Sequence, residues 1–120
     1  MKIRKAYTCP LEIVHDMIKG KWKSIIIFNL RADAMSLSEL EKSIEGISQK
    51  MLLEQLKELM DFGIVDKHKS AGYPLHVEYF LTETRGKNIL QAILIMQEAG
   101  IGYMLEHGMG EELKRKGILI

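Results

Sequence analysis

The sequence predicts a mainly helical fold that carries one small β-hairpin. Three observations lead there. Apolar residues recur at helical spacing through most of the chain, in runs punctuated by Gly20, Gly46 and Gly63. From residue 64 to residue 81 the period switches to two, on either side of a Ser70-Ala-Gly-Tyr-Pro turn. From Thr82 the helical period returns and lasts to residue 105.

Cys9-Pro10 opens the first helix, since proline suits the first helical position; Leu11, Val14 and Ile18 form its face and Gly20 stops it. A second helix fits residues 21–32, with Trp22, Ile25, Ile26 and Leu30 facing inward. Residues 35–37 read as a short extended stretch. Ser38, with Glu41 three residues on, reads as the capping box of a third helix, whose Leu40 and Ile44 face inward and which Gly46 ends. Ser48 caps a fourth helix that runs to residue 62. Met51, Leu52, Leu56, Leu59 and Met60 point inward there, while Gln49, Lys50, Leu53, Glu54, Lys57 and Asp61 point outward. Gly63 suits a left-handed C-terminal residue. Residues 64–69 and 76–81 pair as the hairpin. Thr82 caps the long final helix, with Ile89, Ala92, Ile93, Met96 and Gly100 along one side. The expected organisation is a basic arm over 1–8, one domain over 9–107, and a tail over 108–120 that can hold a short helix.

A chain of 120 residues at 13.8 kDa, 47% hydrophobic and 28% charged, has the size and composition of one folded domain. Its apolar runs, such as residues 25–28 and 92–96, stay far below the ~18 apolar residues of a membrane span. The basic start has no apolar segment behind it, so the expected location is cytoplasmic, away from any membrane. Cys9 is the one cysteine, which excludes an intrachain disulfide. Net charge is only +1, but it is unevenly spread: residues 1–31 hold seven Lys/Arg against two Asp/Glu, and residues 32–63 hold three against seven. A nearly neutral domain can therefore present a basic face.

A short helix, a tight turn and a second amphipathic helix make a helix-turn-helix unit, and the hairpin behind it is placed as a wing. This arrangement suits double-stranded DNA, with the N-terminal end of the Ser48 helix entering the major groove and the hairpin tip reaching neighbouring phosphates. Ser48, Gln49 and Lys50 are the first candidates, because free amides at a helix start hold phosphate while Gln and Lys side chains reach bases or backbone. An ordinary capped surface helix would carry the same triplet. Lys57 lies two turns further on, and Glu54 between them disfavours phosphate. In the wing, Lys67, Lys69, Tyr73 and His76 are candidates; outward lysines also guard an edge strand against aggregation. Lys21 and Lys23 are candidate backbone contacts on either side of Trp22, itself a core residue.

The motifs Cys9-Pro10-Leu-Glu, Gly20-Lys-Trp-Lys, Leu37-Ser-Glu-Leu, Gly46-Ile-Ser-Gln-Lys-Met-Leu, Leu56-Lys-Glu-Leu, Phe62-Gly-Ile-Val, Val77-Glu-Tyr and Leu81-Thr-Glu occur in order. As an ordered set they closely resemble the HxlR-type winged helix-turn-helix regulators, relatives of the MarR group, from Cys9 to residue 105. The resemblance implies a homodimeric transcription factor on pseudo-palindromic operators, dimerising through the first and last helices. Leu11, Val14, Ile89, Ile93, Met96 and Tyr103 are the expected interface residues. Leu53 stands on the DNA-facing side where such proteins usually carry a small polar residue, and His76 where an arginine is common at the wing base.

Cys9 sits at a helix N-terminus, behind Lys2, Arg4 and Lys5, where dipole and charge favour a thiolate. The resemblance implies a redox- or electrophile-sensing role, since some HxlR-type proteins use a cysteine at this place; an inert small residue is the plain alternative. A small-molecule effector in place of an oxidant stays open. So does a winged-helix protein-interaction module that has lost DNA binding, which the acidic stretch 32–63 favours and Lys50 opposes. His15, His68, His76 and His107 show no metal-ligand spacing, although His68 and His76 can approach each other across the hairpin. No nucleophile motif or glycine-rich phosphate loop is present. Neither metal, cofactor nor enzymatic activity is expected.

Overall fold

The computed structural model describes residues 3–70, 72 and 76–118, and the elements follow the expected order. The chain forms two compact units, residues 1–90 and 91–120.

In the first unit, α1 (Pro10–Met17) starts at its proline, with Cys9 as the extended N-cap residue. The second helix is shorter than its sequence predicts: α2 spans Lys23–Asn29, and Trp22 is its N-cap residue. Its buried face is Lys23, Ile26, Ile27 and Leu30, whereas Ile25, expected inside, is exposed. Positions 23, 26, 27 and 30 lie on one helical face, so the burial obeys the period with a lysine among the apolar residues.

Two residues that carry no periodic signal extend the hairpin into a sheet. β1 (Met35–Ser36) pairs antiparallel with β3 (Val77–Leu81), which pairs in turn with β2 (Val65–Lys69), in the order β1-β3-β2. Met35 stands opposite Tyr79 and Ser36 opposite Glu78; on the other side Val65 faces Leu81 and His68 faces Glu78. Ser36 is both the last residue of β1 and the N-cap of α3 (Leu37–Ser43). The capping box is therefore Ser36 with Glu39, two residues before the expected Ser38 and Glu41.

α4 (Gln49–Asp61) follows Ser48 as read from the sequence. Leu52, Leu56 and Leu59 are fully buried, together with Ile26, Ile27, Leu40 and Ile64. Each such side chain contributes roughly 1.5–3 kcal/mol when withdrawn from water. Met51 and Met60 are only half-buried, at the margin of this core.

α5 (Arg85–Glu106) starts in the first unit and supplies most of the second. Beyond it the Met109 N–H donates to the Met104 carbonyl oxygen at 2.8 Å, turning the chain into α6 (Gly110–Arg115). Leu113 of α6 is buried, and the rings of Tyr103 and His107 stack with centroids 4.1 Å apart.

Candidate nucleic-acid interface

The N-terminus of α4 is fixed by its own cap. The Ser48 hydroxyl accepts from the Met51 N–H at 3.1 Å, and the first-turn amides of Gln49 and Lys50 lie outside the helical ladder. Because Leu52, Leu56 and Leu59 hold the opposite face in the core, Ser48, Gln49, Lys50, Leu53, Glu54 and Lys57 are all exposed. Leu53 keeps 43% of its surface in solvent. The preceding α3 is pinned by its capping box. Glu39 Oε1 accepts from the Ser36 N–H at 2.9 Å, and the Ser36 hydroxyl accepts from the Glu39 N–H at 3.2 Å. Hydrogen bonding from Ser36 to the carboxylate, from its backbone N–H foremost and from its hydroxyl, holds the Glu39 carboxyl below its ordinary range.

In the wing, β2 is an edge strand, and every residue in it after Val65 is exposed. Lys67 and Lys69 share the sheet face of Val65 but lie beyond the core. His68, Glu78 and His76 share the other face. There the two histidines meet through a carboxylate rather than each other: His68 Nε2 lies 3.4 Å from Glu78 Oε1, and His76 Nε2 lies 3.4 Å from Glu78 Oε2. His76, expected as a phosphate contact, is thus engaged with an acid. Tyr73 lies outside the described residues.

The lysines beside Trp22 divide. Lys21 is exposed, its ammonium 4.5 Å from the centre of the half-buried Trp22 ring. Lys23 corrects the sequence reading. It is only 4% exposed, and its Nζ donates to Gln55 Oε1 and to Glu58 Oε1, both at 2.9 Å. A cation spent inside on the rear of α4 is not available to a phosphate. The apolar neighbours at 26, 27 and 30 were the signal that it faces inward.

A second brace joins α4, the wing and α5. The Thr82 hydroxyl donates to the Gly63 carbonyl oxygen at 2.7 Å and accepts from the Gly86 N–H at 2.8 Å. Arg85 Nη1 donates to the Phe62 carbonyl oxygen at 2.8 Å, closing the C-terminus of α4. Thr82 carried a capping signal; Arg85, Gln55 and Glu58 carried none, because their partners are distant in sequence. Among the described residues no group of three or more His, Cys, Asp or Glu side chains could hold a metal ion.

Residues 17–108, which include both helices of the helix-turn-helix and the wing, match the model of a family described as HxlR-like helix-turn-helix. The chain belongs to the HxlR family. An HTH-type transcriptional regulator of Methanothermobacter thermautotrophicus is 34% identical over 97 residues, covering 81% of this chain and 73% of that protein. The solved structure of the redox regulator HypR in its reduced form superposes with a TM-score of 0.73 at 35% identity, covering 78% of this chain and 92% of HypR. A MarR-family regulator from Porphyromonas gingivalis W83 gives a TM-score of 0.73 at 32% identity, covering 83% and 97%. The fold of this HxlR-family chain is accordingly the winged helix-turn-helix of that group.

Elsewhere in this HxlR chain, Cys9 is a free, exposed thiol at the N-cap of α1. Arg4, expected beside it, is held by two carboxylates of α1: its Nε donates to Asp16 Oδ2 at 2.8 Å, and its Nη1 lies 3.9 Å from Glu12 Oε2. The expected interface residues separate by exposure. Leu11 is 74% exposed, Met96 and Tyr103 are exposed, and Val14 is half-buried. Ile89 and Ile93 are buried within the single chain, so they pack inside rather than await a partner. Leu94, Ile95 and Leu105 are exposed on α5 instead. No described helix is long and apolar enough to cross a membrane.

Proposed function

We propose that this HxlR-family regulator acts as a homodimer on a pseudo-palindromic operator. The N-terminal end of α4 enters the major groove, and Lys67 and Lys69 of the wing meet neighbouring phosphates. The observation that carries this reading is the exposed set Ser48, Gln49, Lys50, Leu53 and Lys57 at the capped end of a helix whose other face is core. Leu53 then meets a thymine methyl or a sugar, and Lys21 reaches the backbone. The recognition helices of the two subunits lie about 34–36 Å apart, or a multiple of that, along the duplex.

Fluorescence anisotropy on DNA from directly upstream of the gene, across salt and with nonspecific competitor, tests the assignment. Specific binding with a steep salt slope is expected, and Lys50→Ala should reduce that slope by about 1. Unchanged affinity in both Lys50→Ala and Gln49→Ala would remove α4 from the groove. No binding above competitor level would favour a protein-interaction module.

A redox trigger is favoured by the exposure of Cys9 at a helix N-cap and by the description of HypR as a redox regulator. Two Cys9 thiols, one per subunit, lose two electrons and two protons to an oxidant such as diamide and form one disulfide. Cys9→Ser should abolish both the cross-linked dimer on a non-reducing gel and the oxidant effect on DNA affinity.

A further inference from the structure

One face of the wing carries a cluster that the contacts proposed above do not use. His68 of β2 and His76, just before β3, both face Glu78, each Nε2 lying 3.4 Å from a different carboxylate oxygen. Both histidines are exposed. Asp66 lies two residues before His68 and so on the same side of β2. The Phe80 ring is centred 5.5 Å from that of His68, and Ser36 of β1 stands opposite Glu78. From α3, Glu39 is close enough to His76 for their charges to act on each other, with Lys42 beside Glu39 in turn. Lys67 and Lys69 project from the other face of the sheet.

We propose that this cluster makes the wing a proton-dependent DNA contact, which strengthens as pH falls through the histidine range. The inference concerns regulation of the DNA contact proposed above and rests on it.

The direction follows from the charges. With both imidazoles neutral, residues 65–81 set Lys67 and Lys69 against Asp66 and Glu78 and carry no net charge. Two protons bring the same segment to +2. The cluster itself passes from −1 to +1, because two rings share one carboxylate. One histidine on Glu78 would only cancel it; the second supplies the surplus. Before protonation Asp66, Glu78 and Glu39 give this face three carboxylates, which repel a duplex. Histidine is the side chain whose ordinary charge change falls between about pH 5 and 8, so it alone among these groups answers to mild acidification. Each added cation set against phosphate releases counterions and tightens binding. By linkage, a bound duplex favours the protonated rings to the same extent.

The test is fluorescence anisotropy of the whole chain on the labelled duplex from directly upstream of its gene, across salt, at about pH 5.5 and about pH 7.5. The protein is kept reduced, and EDTA keeps metal ions off the imidazoles. The wild type should bind about tenfold more tightly at the lower pH, with a salt slope steeper by about 1–2. His68→Gln combined with His76→Gln, both at exposed positions, should remove most of that difference. His15→Gln combined with His107→Gln, away from the wing, should leave it whole. His68→Lys combined with His76→Lys fixes the charge. That variant should bind at the higher pH as tightly as the wild type does at the lower one, which a purely structural part for the rings would not produce. A pH-independent wild type, an unchanged pH response without His68 and His76, or no gain from the two lysines would each overturn the inference and leave the proposed function standing. Failure to bind DNA at either pH would overturn both.

Discussion

Gly86, in the first turn of α5, packs so closely on the carbonyl oxygen of Ile64 that a Cβ at position 86 would collide with it. The Gly86 N–H meanwhile donates to the Thr82 hydroxyl, which itself holds the Gly63 carbonyl. An exposed helical glycine changed to alanine gains up to about 1 kcal/mol from propensity. Here the clash is with backbone, which has no rotamer to give way, and overpacking costs about 1–3 kcal/mol. Gly86→Ala should therefore be destabilising on balance, read as a lower urea midpoint at unchanged slope. A raised midpoint would show that the joint relaxes freely.

Lys23→Ala should cost about 2–3 kcal/mol, because it leaves the largely buried Glu58 carboxylate without its cation. Lys23→Met combined with Glu58→Leu should recover most of that loss. The salt slope of DNA binding by Lys23→Met should equal that of the wild type. A slope lowered by about 1 would return Lys23 to the phosphate contacts.

Ile95 is 69% exposed on α5, with Leu94, Met96, Tyr103 and Leu105 also open to solvent. A monomer gains nothing from so many exposed apolar side chains on one helix, and burying one contributes roughly 1.5–3 kcal/mol. Sedimentation velocity at micromolar concentration should show a dimer for the wild type and a shift to monomer for Ile95→Asp. A monomeric wild type would remove the two-half-site model.

Glu39 and Asp16 both have carboxyls held below their ordinary range, by the Ser36 backbone N–H and by the Arg4 guanidinium respectively. Such a group binds its proton less tightly folded than unfolded. Its contribution to stability is complete above the unfolded value and is lost as pH falls through the folded one. Stability should decline from about pH 5 to pH 3. Glu39→Gln, which keeps the capping geometry, should flatten part of that decline. An identical pH profile in the variant would exclude the capping box as a source.

The sequence and the structure part company at particular residues. Two overlapping Ser-x-x-Glu patterns, 36/39 and 38/41, offer the same capping chemistry, and only the pairing of Ser36 with Glu78 selects the first. Lys23 looked like a surface cation because its ammonium's partners are 32 and 35 residues away. Ile25 and Ile27 are both apolar neighbours in a short helix, and which of them faces the core depends on where that helix begins.

The local code was sufficient for the family, the order of the elements, the cap at Ser48 and the outward face of α4, since helical period, caps and turn residues act over a few positions. Tertiary structure decided the third strand, the inward turn of Lys23 onto Gln55 and Glu58, the meeting of His68 and His76 on Glu78, and the burial of Ile89 and Ile93. The third strand and the contacts of Lys23 join residues far apart in the chain, while the histidines meet across a local hairpin; in every case the energies come from desolvation and packing that exist only once the segments have met.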